Sequence, residues 1–228
     1  MIPYILFIAL LASLLVLLHF TYNPKGNRYT ISKTCCSIIF ILISLSGYLT
    51  VRGSLTYFML VFIALILSLF GDVFLAFYDS SSCCKNNFFY YGVISFATAH
   101  IFFSIAFMIL TPFRAVNLIA FILLSLFSLC FLKLYKGFDF KGMFKVIAAY
   151  DLIICFMVSN AFSLFSLIQA GSTKTVVVLC GAALFFISDL VLSLIYFSKK
   201  HSPVLSAINL STYYIGQGLI ALSVLILF

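Results

Sequence analysis

Residues 55–78 read LTYFMLVFIALILSLFGDVFLAFY, with Asp72 as their one charged side chain. At about 1.5 Å of rise per residue, a helix of this length outruns a hydrocarbon core of about 30 Å. The rest of the chain repeats the pattern. Apolar runs of spanning length fall at 2–20, 31–50, 55–78, 88–110, 115–133, 143–168, 175–197 and 203–228. Between them lie Gly, Pro, Ser, Asn and Lys, the residues that break helices and face water. No loop is long enough to form a separate soluble domain. The expected fold is all-α and integral to a membrane: one polytopic domain over 1–228, built as a bundle of eight transmembrane helices.

Composition gives the same answer. The chain is 65% hydrophobic and 8% charged, with a mean hydropathy of +1.27. Soluble domains are about half apolar and about a quarter charged. One core could not hide this much hydrocarbon, so the missing solvent is lipid. The net charge of +8 comes from 13 Lys+Arg against five Asp and no Glu. These cations are scattered between apolar runs, which excludes a nucleic-acid footprint. Ten of them fall in the first, third, fifth and seventh connections or at the helix ends beside them, against Arg52, Arg114 and Lys174 on the other side. The positive-inside rule therefore places the first set in the cytoplasm and both termini outside. The N-terminal MIPYILF lacks the basic region of a cleaved signal peptide and reads as a retained first helix. The seven Cys include no Cys-x-x-Cys, which counts against metal or redox use. Cys83 and Cys84, in an expected inner loop, are bland thiols or acylation sites.

An internal echo accompanies this pattern. LFGDVFLAF at 69–77 aligns without a gap on FISDLVLSL at 186–194, an offset of 117 residues that carries Asp72 onto Asp189. Four runs separate the two segments, so both cross the membrane in the same direction. The echo predicts two parallel four-helix repeats.

Ionisable groups at membrane depth are where the chemistry is expected. On insertion scales each costs roughly 2.5–3.5 kcal/mol near the bilayer centre, so its presence calls for a reason. Asp72 and Asp189 lie at matching depth in the cytoplasmic half. In a dry pocket two carboxyls do not both hold charge cheaply, so one could act as a protonated acid and the other as an ionised base. Two aspartates that merely bond helices together are the plainer alternative, though Asn, Ser or Thr would do that at lower cost. His100 sits near the middle of the fourth run, as a buried hydrogen-bonding residue or a supporting one. Tyr150 and Asp151 open the sixth run near the inner surface, where pairing of Asp151 with Lys145 or Lys141 is an equally good reading. Lys33 begins the second run on the same side, where snorkelling is the plain reading. Ser206, Asn209, Tyr213 and Gln217 form one polar face of the last run, either as helix–helix glue or as the wall of a wet cavity. A pocket opening to the cytoplasm and reaching mid-membrane would collect Lys33, Asp72, His100, Tyr150, Asp151, Asp189, Tyr213 and Gln217.

Absences prune the chemistry further. Without Glu there is no His-Glu-x-x-His metallopeptidase, and there is no Gly-x-Ser-x-Gly elbow, P-loop or dinucleotide fingerprint. Three dispersed His do not make a multi-His zinc site, so neither metal nor cofactor is expected. Carboxylate acid–base chemistry remains.

With these residues in view the chain resembles the YhhN-like membrane proteins, the lysoplasmalogenase family. The resemblance runs from the Lys33 segment to the end. It is carried by Gly71-Asp72-Val73-Phe74-Leu75, by Gly92, Phe96 and His100 at four-residue spacing, and by Tyr150. Gly181-Ala182, Leu184-Phe185, Ser188-Asp189 and Tyr213-Tyr214 with Gln217 complete it. One departure is Lys33-Thr34, where the family typically has a basic residue followed by Pro. The resemblance implies a hydrolase that cleaves the vinyl ether bond of a lysoplasmalogen, a lysophospholipid, to a fatty aldehyde and a glycerophospho-head group. It maps the family's proposed catalytic pair onto Asp72 and Asp189, in either order of acid and base. It places Lys33 or a nearby loop Lys at the phosphate, with His100, Tyr150, Asp151, Ser188, Asn209, Tyr213 and Gln217 in binding or supporting roles. The expected location is the inner membrane of a bacterium or the endoplasmic reticulum of a eukaryote, with the active site toward the cytoplasm.

Two other readings stand beside it. An intramembrane aspartyl protease pairs a Tyr-Asp with a Gly-x-Gly-Asp, and Tyr150-Asp151 with Gly71-Asp72 resembles this in reversed order, with Leu69 where that motif needs Gly. A proton-coupled lipid carrier would use buried carboxylates as relays, but the runs lack the mid-span Gly/Pro breaks such carriers use.

Overall fold

The computed structural model describes residues 1–22, 27–80, 85–140, 142–169, 173–198 and 202–228. Their regular structure is helical: α1 (Ile2–Tyr22), α2 (Arg28–Val51), α3 (Leu55–Ser80), α4 (Lys85–Leu110), α5 (Ala115–Leu134), α6 (Phe144–Ser163), the short α7 (Phe165–Gln169), α8 (Val176–Phe197) and α9 (Pro203–Ile226). Eight of these, all but α7, are long and apolar enough to cross a membrane. The one β feature among the described residues is an isolated antiparallel bridge between Phe138 and Ser198.

The sixth apolar run, read from sequence as one span over 143–168, is one candidate span over Phe144–Leu167 with a one-residue break in the helix at Leu164. Ser163 Oγ donates to the Asn160 carbonyl at 2.6 Å and Ser166 Oγ to the Ser163 carbonyl at 2.8 Å. Such bonds, made three residues back, compete with the helix ladder, so α6 ends at Ser163 and α7 starts afresh at Phe165. The cleanest helix start is that of α9, where Ser202 Oγ accepts from the Val204 amide at 3.3 Å and Pro203 occupies the first turn.

Neighbouring helices pack in sequence order within each half, α1–α2–α3–α4 and α5–α6–α8–α9, and the halves interlock where α2 meets α9 and α4 meets α6. The face of α5 bearing Leu118, Ile119, Ile122 and Leu126 is exposed, as a lipid-facing surface would be. The opposite holds for α9, whose residues from Asn209 to Val224 are largely buried. Its polar face therefore points into the protein.

Helices α8 and α9 approach most closely at Gly181 and Gly216. A Cβ placed on Gly216 would lie 2.8 Å from the Gly181 carbonyl oxygen, a backbone atom that cannot swing away. Small residues at such crossings let apolar helices meet without a hydrophobic driving force. Gly216→Ala is expected to force the pair apart and lower stability by about 1–3 kcal/mol, the usual range for overpacking. Thermal unfolding in detergent checks this, and an unchanged midpoint would contradict it.

Candidate active site

The carboxylate of α3 is held by two other helices. Asp72 Oδ2 accepts from Ser37 Oγ at 2.6 Å and from the Tyr213 hydroxyl at 2.8 Å, while the Lys33 ammonium lies 3.4 Å from Oδ1. The side chains of Lys33 and Asp72 are only 8% and 2% exposed, so this is a fully interior ion pair. Helical spacing assembles it. Lys33 and Ser37 are one turn apart on α2, as are Ser68 and Asp72 on α3 and Tyr213 and Gln217 on α9. Gln217 Nε2 donates to Ser68 Oγ at 3.0 Å, one turn along from the Tyr213–Asp72 bond. The Tyr214 hydroxyl donates to the Lys33 carbonyl at 3.0 Å, fixing that end of α2.

The carboxylate of α8 has a different set of partners. The Tyr150 hydroxyl donates to Asp189 Oδ2 at 2.5 Å. His100 Nε2 lies 3.0 Å from the Tyr150 oxygen and 3.7 Å from Asp189 Oδ2. The phenol has one proton, and it goes to Asp189. The network therefore assigns the Nε2 proton of His100 to the Tyr150 oxygen. Nδ1 of the same ring is buried with no protein partner among the described residues. Asn209 Nδ2 donates to the Ser188 carbonyl at 2.8 Å and to Ser188 Oγ at 3.1 Å, tying the residue before Asp189 to α9.

Aromatic rings stand between the two groups. His100 packs edge-on to Phe185 at a centroid distance of 4.7 Å, and Phe185 packs edge-on to Tyr213 at 5.2 Å. Phe96 closes the wall at 5.9 Å from the Tyr213 ring. On the Asp189 side of this wall lies a narrow apolar cavity of about 60 Å³. Tyr150, Asp151, Asp189, Ser193 and Tyr196 are its polar lining, among Leu75, Phe89, Val93, Ile147, Ile154 and Phe186. Its walls come from the C-terminal parts of α3, α5 and α8 and the N-terminal parts of α4 and α6, so it lies toward the 5–6 and 7–8 connections. At that end Phe197 lines the cavity and packs against Phe140 of the 5–6 connection at 5.1 Å, while the Asp139 amide donates to the Phe197 carbonyl at 2.7 Å.

The single pocket read from sequence is thus divided. Tyr150, Asp151 and Asp189 line the cavity, whereas Asp72, Lys33, His100, Tyr213 and Gln217 are not among its lining residues. Asn209, Tyr213 and Gln217 are interhelical glue, and Ser206 is half-buried. Asp151 is also placed differently from the interfacial ion pair weighed for it. It is 6% exposed and accepts from Ser128 Oγ at 2.6 Å, while Lys145 is exposed and Lys141 lies outside the described residues. Cys83 and Cys84 also lie outside them. Ser37, Ser68 and Ser128 went unnoticed in the sequence, and Tyr214 was read only as part of the family motif. Position i+4 from Lys33 and i−4 from Asp72 would have flagged Ser37 and Ser68, but nothing marked Ser128. Among the described residues no group of three His, Cys, Asp or Glu side chains is placed to hold a metal ion.

The sequence profile of the YhhN family matches residues 28–224. Lysoplasmalogenase TMEM86A of Bos taurus is 33% identical over 191 residues, covering 82% of this chain and 73% of the relative. The Homo sapiens protein of that name is 32% identical over 190 residues, with the same coverage. Lysoplasmalogenase TMEM86B of Mus musculus is 36% identical over 137 residues, covering 60% of this chain and 54% of the relative. No solved structure matches the chain.

The Lys33–Asp72 pair makes a thermodynamic prediction. Removing one partner strands a buried charge, which costs about 3–5 kcal/mol, whereas removing both leaves none. Lys33→Met and Asp72→Asn should each lower the unfolding midpoint in detergent strongly, and the double variant should recover much of the loss. Simple addition of the two losses would contradict the pairing.

Proposed function

The chain belongs to the YhhN family, and from this we infer that it is a lysoplasmalogenase, a membrane-embedded hydrolase acting on a lysophospholipid at the Asp189 cavity. The observation that carries the assignment to this site is a carboxyl bonded to a phenol inside an apolar, lipid-like enclosure.

Vinyl ether hydrolysis suits such a place. A carboxylic acid protonates the β-carbon of the alkenyl chain, and the electron pair of the double bond forms the new C–H bond. The resulting oxocarbenium ion is stabilised by carboxylate charge, which acts strongly where water is excluded. Water adds to the α-carbon and gives up a proton to a carboxylate. The hemiacetal then collapses to aldehyde and alcohol, its ether oxygen taking a proton from a carboxylic acid and its hydroxyl giving one to a carboxylate. Two carboxyls serve acid and base much as in glycoside hydrolysis. Asp189 is the group that meets the substrate. Tyr150 and His100 orient it, as a base is oriented by a third group in other hydrolases. Asp72, paired with Asp189 by the family resemblance, is engaged by Lys33, Ser37 and Tyr213 behind the aromatic wall. It acts through Tyr213 and the rings that pack on it.

The same geometry reassigns the phosphate. With its ammonium committed to Asp72, Lys33 is not free for the head group. Exposed Lys133 and Lys145 flank the cavity-lining Leu132 and Ile147, and among the described residues they are cations that a head group at that end would meet. A protease reading needs Asp72 and Asp151 in one site, and only Asp151 lines the cavity.

Purified protein should release aldehyde from lysoplasmalogen but not from a saturated alkyl ether, which has no double bond to protonate. Asp189→Asn should lower kcat by about 10²–10⁴-fold or more with KM little changed, because Asn keeps the shape but transfers no proton. Turnover of the saturated ether, or near-normal kcat in Asp189→Asn, would sink the mechanism. The positive-inside count puts the cavity on the cytoplasmic side. A single cysteine at Lys136 should then be labelled by an impermeant maleimide only after the membrane is opened, and labelling in sealed cells would reverse the orientation.

A further inference from the structure

The offset of 117 residues that carries Asp72 onto Asp189 also carries Lys33 onto Tyr150, Thr34 onto Asp151, Phe96 onto Tyr213 and His100 onto Gln217. Burial follows the same register: Gly92, Phe96, Ala99 and His100 are buried on α4, and so are Asn209, Tyr213, Gly216 and Gln217 on α9. Contacts follow it as well. Helix α2 packs on α3 and α9, and α6, its counterpart, packs on α8 and α4. Each aspartate therefore takes its partners from the second helix of its own half and the fourth helix of the other. Asp72 is bound by Lys33 and Tyr213, and Asp189 by Tyr150 with His100 beside it.

The two copies differ in what the second helix supplies. In the first half it supplies Lys33-Thr34, an ammonium next to a small hydroxyl. In the second half it supplies Tyr150-Asp151, a phenol next to a carboxyl. In the first copy the Lys33 ammonium pairs with Asp72, with Asp79 of the same helix also near enough to act on its charge, and none of the three is among the described residues lining the cavity. The second has a phenol and another carboxyl in those places, and Asp151 and Asp189 both line the cavity, with no lysine or arginine among the described lining residues.

We propose that Asp151 is the second carboxyl of the reacting site, sharing one exchangeable proton with Asp189 across the cavity, while the Lys33–Asp72 pair is the closed twin that positions the bundle. This rests on the vinyl ether hydrolase reading and deepens it. Of Asp151 and Asp189, the protonated one gives its proton to the β-carbon and becomes a carboxylate. The other, ionised until then, takes the proton released when water adds to the α-carbon. On collapse of the hemiacetal that carboxyl gives its proton to the ether oxygen as the C–O bond breaks, and a carboxylate takes the hydroxyl proton as the aldehyde forms, so the pair again holds one proton. Carboxyls and substrate together carry one net negative charge throughout: two carboxylates face the oxocarbenium ion while it lasts, the shared proton being in the substrate, and one carboxylate with one carboxylic acid are present before and after. The groups around Asp151 are Ser128 from α5, Cys155 one turn along α6, and Asp189 and Tyr196 from α8, with Tyr150 beside it, His100 of α4 behind Tyr150 and Asp79 of α3 bonded to Tyr196. Ser128 Oγ, as donor to Asp151 Oδ2, holds one of its carboxylate oxygens.

The test has two arms on the full-length protein in detergent. In the first, Asp151→Asn is compared with wild type on lysoplasmalogen across pH. The expected result is a drop in kcat of about 100-fold or more, KM little changed, and loss of one limb of the pH profile, with Asp151→Glu retaining part of the activity. Near-wild-type turnover with both limbs intact in Asp151→Asn would overturn the proposal. The second arm needs no turnover. Dicyclohexylcarbodiimide, which reacts with protonated carboxyls in apolar surroundings, should modify one carboxyl per chain, at Asp151 or Asp189. Asp151→Asn should move the pH range over which Asp189 is modified. Modification of both residues together, or a pH range for Asp189 that Asp151→Asn does not move, overturns the shared proton even if a variant unfolds. If wild type releases no aldehyde, the hydrolase reading falls alone, and the labelling still decides whether the two carboxyls are coupled.

Discussion

A charge buried among helices that face lipid has no water to fall back on, so its partners must come from other helices. Everything else in this bundle follows from that constraint. Asp72 is engaged from α2 by Lys33 and Ser37 and from α9 by Tyr213. Asp189 is engaged from α6 by Tyr150, with His100 of α4 at the next remove. These are the same pairs of helices through which the two halves interlock. An unpaired charge at this depth would cost several kcal/mol, so each knot selects one rotation and one register for the helices that enter it. Apolar side chains packed against other apolar side chains specify neither so sharply, because lipid tails are as good a neighbour as leucine.

The two knots resemble each other in plan and differ in chemistry. One is an ion pair with two hydroxyl donors and no opening. The other has a phenol where the first has an ammonium, and it borders a cavity walled mostly by Leu, Ile, Val and Phe. A cation fixed beside Asp72 already answers its charge. At Asp189 that place is vacant of a cation, and the oxocarbenium ion of vinyl ether hydrolysis is the transient charge that would fill it. The apolar lining suits a hydrocarbon chain and strengthens every electrostatic contact made inside it. The rings of Phe96, Phe185 and Tyr213 keep the two carboxylate systems apart while joining them mechanically.

At the loop end, the cavity is bordered by Phe197, which Phe140 packs against and whose carbonyl accepts from the Asp139 amide. The phosphate of a lysolipid would stay in the polar region beside Lys133 and Lys145 while its chain enters between α4, α6 and α8. The vinyl ether lies between those two parts of the molecule, next to the glycerol. A carboxyl about two turns in from the start of α6, or from the end of α8, is placed for such a bond.

Hydropathy is local and additive. Twenty apolar residues in a row must become a spanning helix wherever they sit, and the eight runs were therefore readable directly. The matched aspartates and the family motifs were readable for a related reason, since spacing along one helix survives in the sequence. What the sequence could not reveal is which neighbour each buried polar group faces. Lys33 and Asp72 stand on different helices, as do His100 and Tyr150, and Ser128 and Asp151. Those partnerships depend on how far each helix is turned about its own axis. That rotation is decided by packing among several helices at once, including the Gly181–Gly216 crossing and the aromatic wall. Hence one expected pocket became a sealed ion pair and an open cavity, and Asp151 moved from the interface to the interior. Charge type and depth are properties of a single helix, whereas which charges share a cavity is a property of the whole bundle.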